Sequence, residues 1–241
     1  MQNVEGKVRK ACEMYGLIEE GDRIAVGVSG GKDSMALLHS LVEFSRYSPK
    51  SFSLVALVVD PQFGGSMTDY TSIEEYCKSK NIPISIRRSN LAEVIFDTRN
   101  EKNPCSLCAR MRRGMLHDMT LEADCSKIAL GHHMNDAVET LFLNLFHQGR
   151  LESFKVKTYL SRKNITMIRP LILCQEGEIL SYTKSLNLPI LASRCPMDGH
   201  TERERIKEFI REKEREYEGF TKKTFEAMQR GNISELGLGN E

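Results

Sequence analysis

Two periodicities alternate along the chain. Short aliphatic runs give way to longer stretches in which apolar residues return every third or fourth position. Arg23–Val28 and the longer Phe52–Val59 are of the first kind and read as strands. A strand as continuously apolar as Phe52–Val59 belongs in a parallel sheet covered on both faces. Ile82–Arg88, Lys127–Leu130, Ile165–Ile168 and Pro189–Ala192 extend the series. Helical spacing is expected over residues 4–19, with Val4, Val8, Ala11 and Cys12 inward, from Asp33 onward through Met35, Leu37, Leu38 and Leu41, near 69–80, over 106–122 and near 176–186. After Gly131-His132-His133, the residues Val138, Leu141, Phe142, Leu145 and Phe146 fall at i, i+3, i+4, i+7 and i+8, one face of a helix. Thr201-x-x-Glu204 is a capping box that opens a last helix with Ile206, Phe209 and Ile210 inward. The stretch from Gly231 to Glu241 reads as a loose tail.

Repeated strand–helix alternation predicts an α/β fold, doubly wound around a mainly parallel sheet. Residues 1–20 are expected to form an N-terminal helix, 21–200 the main domain with the Cys105–Cys108 region as an insertion, and 201–241 a C-terminal helical segment. Ligands of such sheets lie beyond the carboxyl ends of the strands. The Gly30 loop, Asp60 and Gly131 all fall at such ends, which predicts that they converge on one pocket.

Composition narrows the classes. The 241 residues, 40% hydrophobic and 28% charged, suffice for a sizeable core. No apolar run approaches a membrane span, and the start of the chain lacks the apolar core of a secretory signal, so a cytoplasmic protein without membrane contact is expected. A net charge of +1 neither demands nor excludes nucleic acid. Local clusters say more: Arg87-Arg88, Arg110 with Arg112-Arg113, Lys155 with Lys157, and Arg162-Lys163. Such groups can meet phosphates, although clusters alone read as solvated surface charge. Seven cysteines, an odd number in that setting, argue against a disulfide framework.

The densest chemistry is Ser29-Gly30-Gly31-Lys32-Asp33-Ser34, set where a strand turns into a helix. Consecutive glycines admit an anion close to the backbone. The helix start aims free N–H groups and its dipole at that anion. Lys32 adds a full positive charge, Ser29 and Ser34 add hydroxyls, and Asp33 can orient Mg²⁺ or its waters. The spacing matches neither the Walker loop nor the Gly-x-Gly-x-x-Gly dinucleotide turn. It resembles the PP-loop of N-type ATP pyrophosphatases, whose adenine nucleotide alpha hydrolase-like fold holds the pyrophosphate end of ATP. That resemblance implies cleavage between the α- and β-phosphates and transfer of AMP to a substrate, with Lys32 catalytic.

Cys105 and Cys108 sit at the expected start of a helix, where thiolates are stabilised and two ligands can reach one metal. On its own a Cys-x-x-Cys pair fits a redox disulfide, half a zinc site or an iron–sulfur cluster. Cys195, beside Pro196, is the best candidate third ligand. The stretch Pro104-Cys105-Ser106-Leu107-Cys108-Ala109-Arg110-Met111-Arg112-Arg113-Gly114, with Ile128-Ala129-Leu130-Gly131-His132-His133, Thr140-Leu141-Phe142-Leu143-Asn144 and Ile168-Arg169-Pro170-Leu171, is similar to the TtcA family of tRNA 2-thiocytidine synthetases. The likeness runs from about residue 20 to about residue 215.

The resemblance implies ATP-dependent thiolation of an anticodon-loop cytidine, through adenylation of its C2 oxygen. It implies a [4Fe–4S] cluster on Cys105, Cys108 and Cys195, tRNA as substrate, a cysteine desulfurase as sulfur donor and a homodimer. Asp60, Gly131 and His132 would border the nucleotide, and Asp136 would be the catalytic acidic position near Mg²⁺. Asp136 also suits a helix N-terminus, where a carboxylate satisfies backbone N–H groups. Arg110, Arg112 and Arg113 would lie near the cluster and meet tRNA phosphates. Asn135 stands where these enzymes commonly have a second Asp. Two other readings remain: a PP-loop sulfur transferase acting on uridine or a small molecule, and a non-catalytic ATP- and metal-binding sensor.

Overall fold

The computed structural model describes residues 4–98, 104–197, 199 and 201–237. Residues 238–241, the last part of the expected loose tail, lie outside the described residues. Six strands form one sheet: β1 (Asp22–Gly27), β2 (Phe52–Asp60), β3 (Ile84–Arg88), β4 (Lys127–Ala129), β5 (Lys157–Leu160) and β6 (Ile165–Ile168). Their spatial order is β3-β2-β1-β4-β6-β5. All neighbours are parallel except the β5–β6 hairpin. Around the sheet run α1 (Val4–Met14), α2 (Lys32–Tyr47), α3 (Thr71–Ser79), α4 (Pro104–Glu122), α5 (Met134–Gln148), α6 (Glu176–Ser185), α7 (Glu202–Glu216) and α8 (Phe220–Arg230).

Strand alternation separates two cores. Leu54, Ala56 and Val58 of β2 face a large core with α1, α2 and α5, while Val55, Leu57 and Val59 face a smaller one with α4. Both sets are buried, which is why β2 carries no polar residue after Ser53 until Asp60. Each such aliphatic side chain contributes roughly 2 kcal/mol on burial. The expected doubly wound, mainly parallel sheet is therefore the observed one.

Four local expectations need correction. Pro189–Ala192 forms no strand. The sheet edge beyond β6 is already occupied by β5, and this segment instead crosses the glycine loop, with Leu191 N–H donating to Gly30 O at 2.9 Å. Strand β5 was hidden in a stretch that reads as surface charge, Lys155 to Lys163. The first helix ends at Met14, short of residue 19, because the chain turns at Gly16 with φ +54°. The tail is not loose through residue 237: Leu236 is fully buried and its carbonyl accepts from Tyr15 Oη at 2.9 Å. Helix α8 precedes it, with Phe220 stacked on Phe142 of α5 at 5.9 Å.

Candidate active site

The glycine loop lies between the carboxyl end of β1 and the first turn of α2. Its hydroxyls are tied inward. Ser34 Oγ donates to Gly31 O at 2.9 Å and accepts from Ser29 N at 3.2 Å, while Gly31 N donates to Ser29 Oγ at 3.3 Å. Gly30 has φ +86°, and a Cβ there would meet Leu191 at 3.0 Å. Gly131, just beyond β4, sits against the loop from the other side: a Cβ would stand 3.0 Å from the Asp33 carbonyl carbon. Absent side chains thus let three segments touch at backbone distance.

Lys32 Nζ lies 3.0 Å from both Asp33 Oδ2 and Glu176 Oε1. Partial burial pulls the ammonium down, but the two carboxylates more than offset it and hold Lys32 above its ordinary pKa. Glu176 opens α6, and its N–H donates to Asn135 Oδ1 at 2.9 Å. Asn135 therefore anchors the helix that brings Glu176 to Lys32.

Asp136 accepts from His133 N at 3.0 Å, as a carboxylate at a helix start should, and its other oxygen meets Arg203 Nη1 at 3.1 Å. Burial pushes this carboxyl up, but His133 and Arg203 outweigh it and its pKa is lowered. His133 Nε2 lies 3.6 Å from Asp33 Oδ1 and 3.5 Å from Asp136 Oδ2, joining the two candidate metal-side carboxylates. Asp33 Oδ1 is buried without a hydrogen-bond partner among the described residues. Behind them Glu139, 2% exposed, is pushed up to about 7 by burial and by the Asp136 carboxylate.

Asp60 is fully buried and accepts from Gln62 N at 3.1 Å and from Thr68 N and Oγ1 at 3.1 and 3.0 Å. It shapes the loop after β2 and does not line the cavity beside the glycine loop. His132 is drawn away from that cavity, its ring 5.3 Å from Phe154. Burial and then Arg169 hold its imidazole down to about 4, so it is neutral.

The cavity of about 230 Å³ is lined by Ser29, Gly31, Thr68, Arg112, Leu191 and Cys195, among others. It shares Phe63 and Arg194 with a wider cleft of about 970 Å³. Arg194 donates to the Ser66 and Met67 carbonyls at 3.2 and 3.0 Å, tying the Cys195 segment to the loop after β2. Cys105 and Cys108 approach from the first turn of α4. Burial raises the Cys105 thiol, with Cys195 adding to it. Burial also raises Cys108; Cys195 and Cys105 contribute in the same sense, and the Arg112 guanidinium opposes them. The three thiols are thus near enough to influence one another, and all are free. No three described His, Cys, Asp or Glu side chains stand close enough to hold a metal by themselves. Arg112 joins this cavity, whereas Arg113 lines a separate cleft and Arg110 lies exposed.

Glu176, Glu139 and Arg203 escape sequence reasoning, and His133 reads there only as a strand-end neighbour of His132. Glu176 lies within a Gln175-x-x-Glu178 capping box, which marks a helix start but not what that start packs against. Nothing separates Arg203 from Arg205 in a helix dense with charge.

A glycine turn at a strand end, a lysine between carboxylates and a second glycine packed onto it define a PP-loop site. The family described as the PP-loop domain matches residues 2–214. Among curated relatives, the tRNA-cytidine(32) 2-sulfurtransferase of Pelobacter propionicus is 39% identical over 87% of this chain and 78% of its own. That of Geobacter sulfurreducens is 34% identical over 96% of this chain and 90% of its own. The chain belongs to the PP-loop family, in the group whose curated members carry the name tRNA-cytidine(32) 2-sulfurtransferase. The fold is also that of the U34-tRNA thiolase NcsA from Methanococcus maripaludis, solved with its [4Fe-4S] cluster, at TM-score 0.76 and 23% identity over 94% of this chain and 76% of that one. Among the described residues no helix is long and apolar enough to cross a membrane.

Proposed function

We propose that this protein thiolates tRNA, using ATP to adenylate the C2 oxygen of an anticodon-loop cytidine and replacing that oxygen with sulfur. One observation carries the reading: the PP-loop, Cys195 and Arg112 line one cavity, and Arg112 lies one turn along α4 from Cys108. The names of the relatives support the acceptor.

The loop would receive the β- and γ-phosphates on its N–H groups and Lys32. Asp33 and Asp136, both beside His133, would hold Mg²⁺; Asp33 Oδ1, which accepts no hydrogen bond among the described residues, suits that role. The cytidine O2 attacks the α-phosphorus, an O–P bond forms, the bond to the β-phosphate oxygen breaks and pyrophosphate leaves. A sulfide equivalent then adds at C2, and the C–O bond breaks with its electron pair leaving on AMP. An adenylate departs readily where a carbonyl oxygen does not. Donors aimed at the departing pyrophosphate are worth about 10²–10³-fold in rate.

Cys105, Cys108 and Cys195 are free and only partly buried, while the other four cysteines are buried, and three such soft donors suit a [4Fe–4S] cluster. When bound, it would supply an iron able to carry the incoming sulfide. Arg112 opposes the burial that raises the Cys108 thiol, and so works toward the thiolate that ligation requires. A cysteine desulfurase as sulfur donor, a homodimer and a cytoplasmic setting complete the proposal.

Mass spectrometry of tRNA nucleosides from a strain lacking the gene tests it. Loss of 2-thiocytidine, restored by the wild-type gene and not by Cys105→Ala, is expected. Unchanged 2-thiocytidine with a missing thiouridine would assign the enzyme to the other acceptor.

A further inference from the structure

A cleft of about 670 Å³ opens between α4 and the β5–β6 hairpin. Arg113, Lys155, Arg162, Lys163 and Arg169 line it together with Phe154, and among the described residues no carboxylate does. Two of the cations have exposed partners: Lys155 pairs with Glu235, and Lys163 with Asp118 at 2.8 Å. Arg113 and Arg162 have no ion pair among the described residues. Ordinary solvated surface charge would account for these four.

It does not account for Arg169. That side chain is 6% exposed and meets no carboxylate within ion-pair distance among the described residues. It donates to Lys155 O and to Met167 Sδ, lies 4.7 Å from the Phe154 ring centre, and leaves Nε buried without a partner. Burial and the neighbouring Arg113 lower it to about 10 while the Asp136 carboxylate opposes them, so it stays charged at neutral pH. A buried cation without an ion-pair partner is costly, and a second cation beside it adds to the cost. An anion entering the cleft removes both penalties.

The cations come from α4, from the segment before β5, from the β5–β6 turn and from the end of β6. Cations drawn from four segments around a cleft of that size suit a chain of regularly spaced phosphates better than one small anion. The cleft also connects to the active site. Phe154, beneath Arg169, packs on His132, and Gly131 next to His132 touches the PP-loop backbone. Helix α4 carries Cys108 and Arg112 toward the thiol cavity and Arg113 and His117 toward the cleft.

We propose that this cleft seats the phosphodiester backbone of the RNA substrate, with Arg113, Arg162 and Arg169 as phosphate contacts, and that α4 stands between the strand and the thiols. The inference rests on the proposed tRNA thiolation and adds where the RNA lies.

Binding of unmodified tRNA to the full chain, followed by fluorescence anisotropy from 50 to 300 mM salt, tests it. Arg162→Ala and Arg113→Ala should each weaken binding about 10-fold at low salt and reduce the log–log salt slope by about 0.9. Lys222→Ala on α8 should change neither, and equal melting temperatures establish that the variants fold. Wild-type affinity and slope in both cleft variants would overturn the cleft while leaving the thiolation reading standing. Absence of tRNA binding by the wild type would overturn both. Poly-glutamate displacing tRNA at equal charge concentration would assign the cleft to an acidic protein and overturn the RNA proposal.

Discussion

The PP-loop and the cysteine side of the cavity are built in opposite ways. The loop is local: six consecutive residues whose hydroxyls bond one another within the turn, braced by Gly131 and Leu191 at backbone contact. The thiols come from two segments nearly ninety residues apart, and they influence one another without reaching metal-ligand distance. The first half is preorganised by its own chain, and the second depends on what the thiols bind. Phosphate chemistry gains most from donors that need not move, while a soft metal centre supplies its own geometry once ligands are within reach.

The largest test separates the halves. Lys32→Ala should reduce pyrophosphate release about 10²–10³-fold, measured with tRNA and sulfide present. Cys195→Ala should abolish sulfur incorporation while the protein still binds ATP by calorimetry. If Cys195→Ala loses ATP binding too, the halves are one preorganised unit and the contrast fails.

Next in size is the packing of Gly131. Val at this position must displace the Asp33 backbone, and urea denaturation should show a loss of about 2–3 kcal/mol. A change under 0.5 kcal/mol would mean that the loop yields where the structure has it braced.

Glu139 sharpens the electrostatics. Its folded pKa, about 7, lies above the ordinary carboxylate value, so folding favours its protonated form. The linked stability is present below about pH 4.5 and is lost as pH rises through 7. A Gln in its place should remove that dependence, up to about 3 kcal/mol between pH 4.5 and 8. His132 has the opposite sign: depressed to about 4, it costs stability as pH falls below 6.5. Denaturation curves at pH 5 and 8 for wild type, Glu139→Gln and His132→Phe separate the two.

The smallest effect is at Asn135. Removing its acceptor from the Glu176 N–H with Asn135→Ala should cost about 1 kcal/mol in thermal melts. If Lys32 relies on Glu176 for its position, KM for ATP should rise a few-fold.

What the sequence discloses follows from how each part is held. β2 and the PP-loop are legible because their residues are contiguous and their periodicity is unbroken. Pro189–Ala192 misleads because an apolar run says nothing about whether a sheet edge is free; here β5 occupies it. β5 itself hides because an edge strand exposed on one side can carry Lys157 and Tyr159 outward. Phosphate-side residues could be proposed from one motif, but Glu176 and Arg203 reach Lys32 and Asp136 only through tertiary packing. Asn135, a departure from the pattern when only the sequence is considered, has a definite hydrogen bond in the fold.

Gly30 serves two masters. Its left-handed backbone shapes the phosphate turn, and its bare Cα leaves room for Leu191, whose N–H caps the Gly30 carbonyl. A mutational screen would therefore misjudge this codon: an inactive Gly30 variant reports a displaced Cys195 segment as readily as a lost phosphate site. Gly31, with ordinary φ and only Ser29 Oγ near its missing Cβ, is the cleaner genetic probe of nucleotide use.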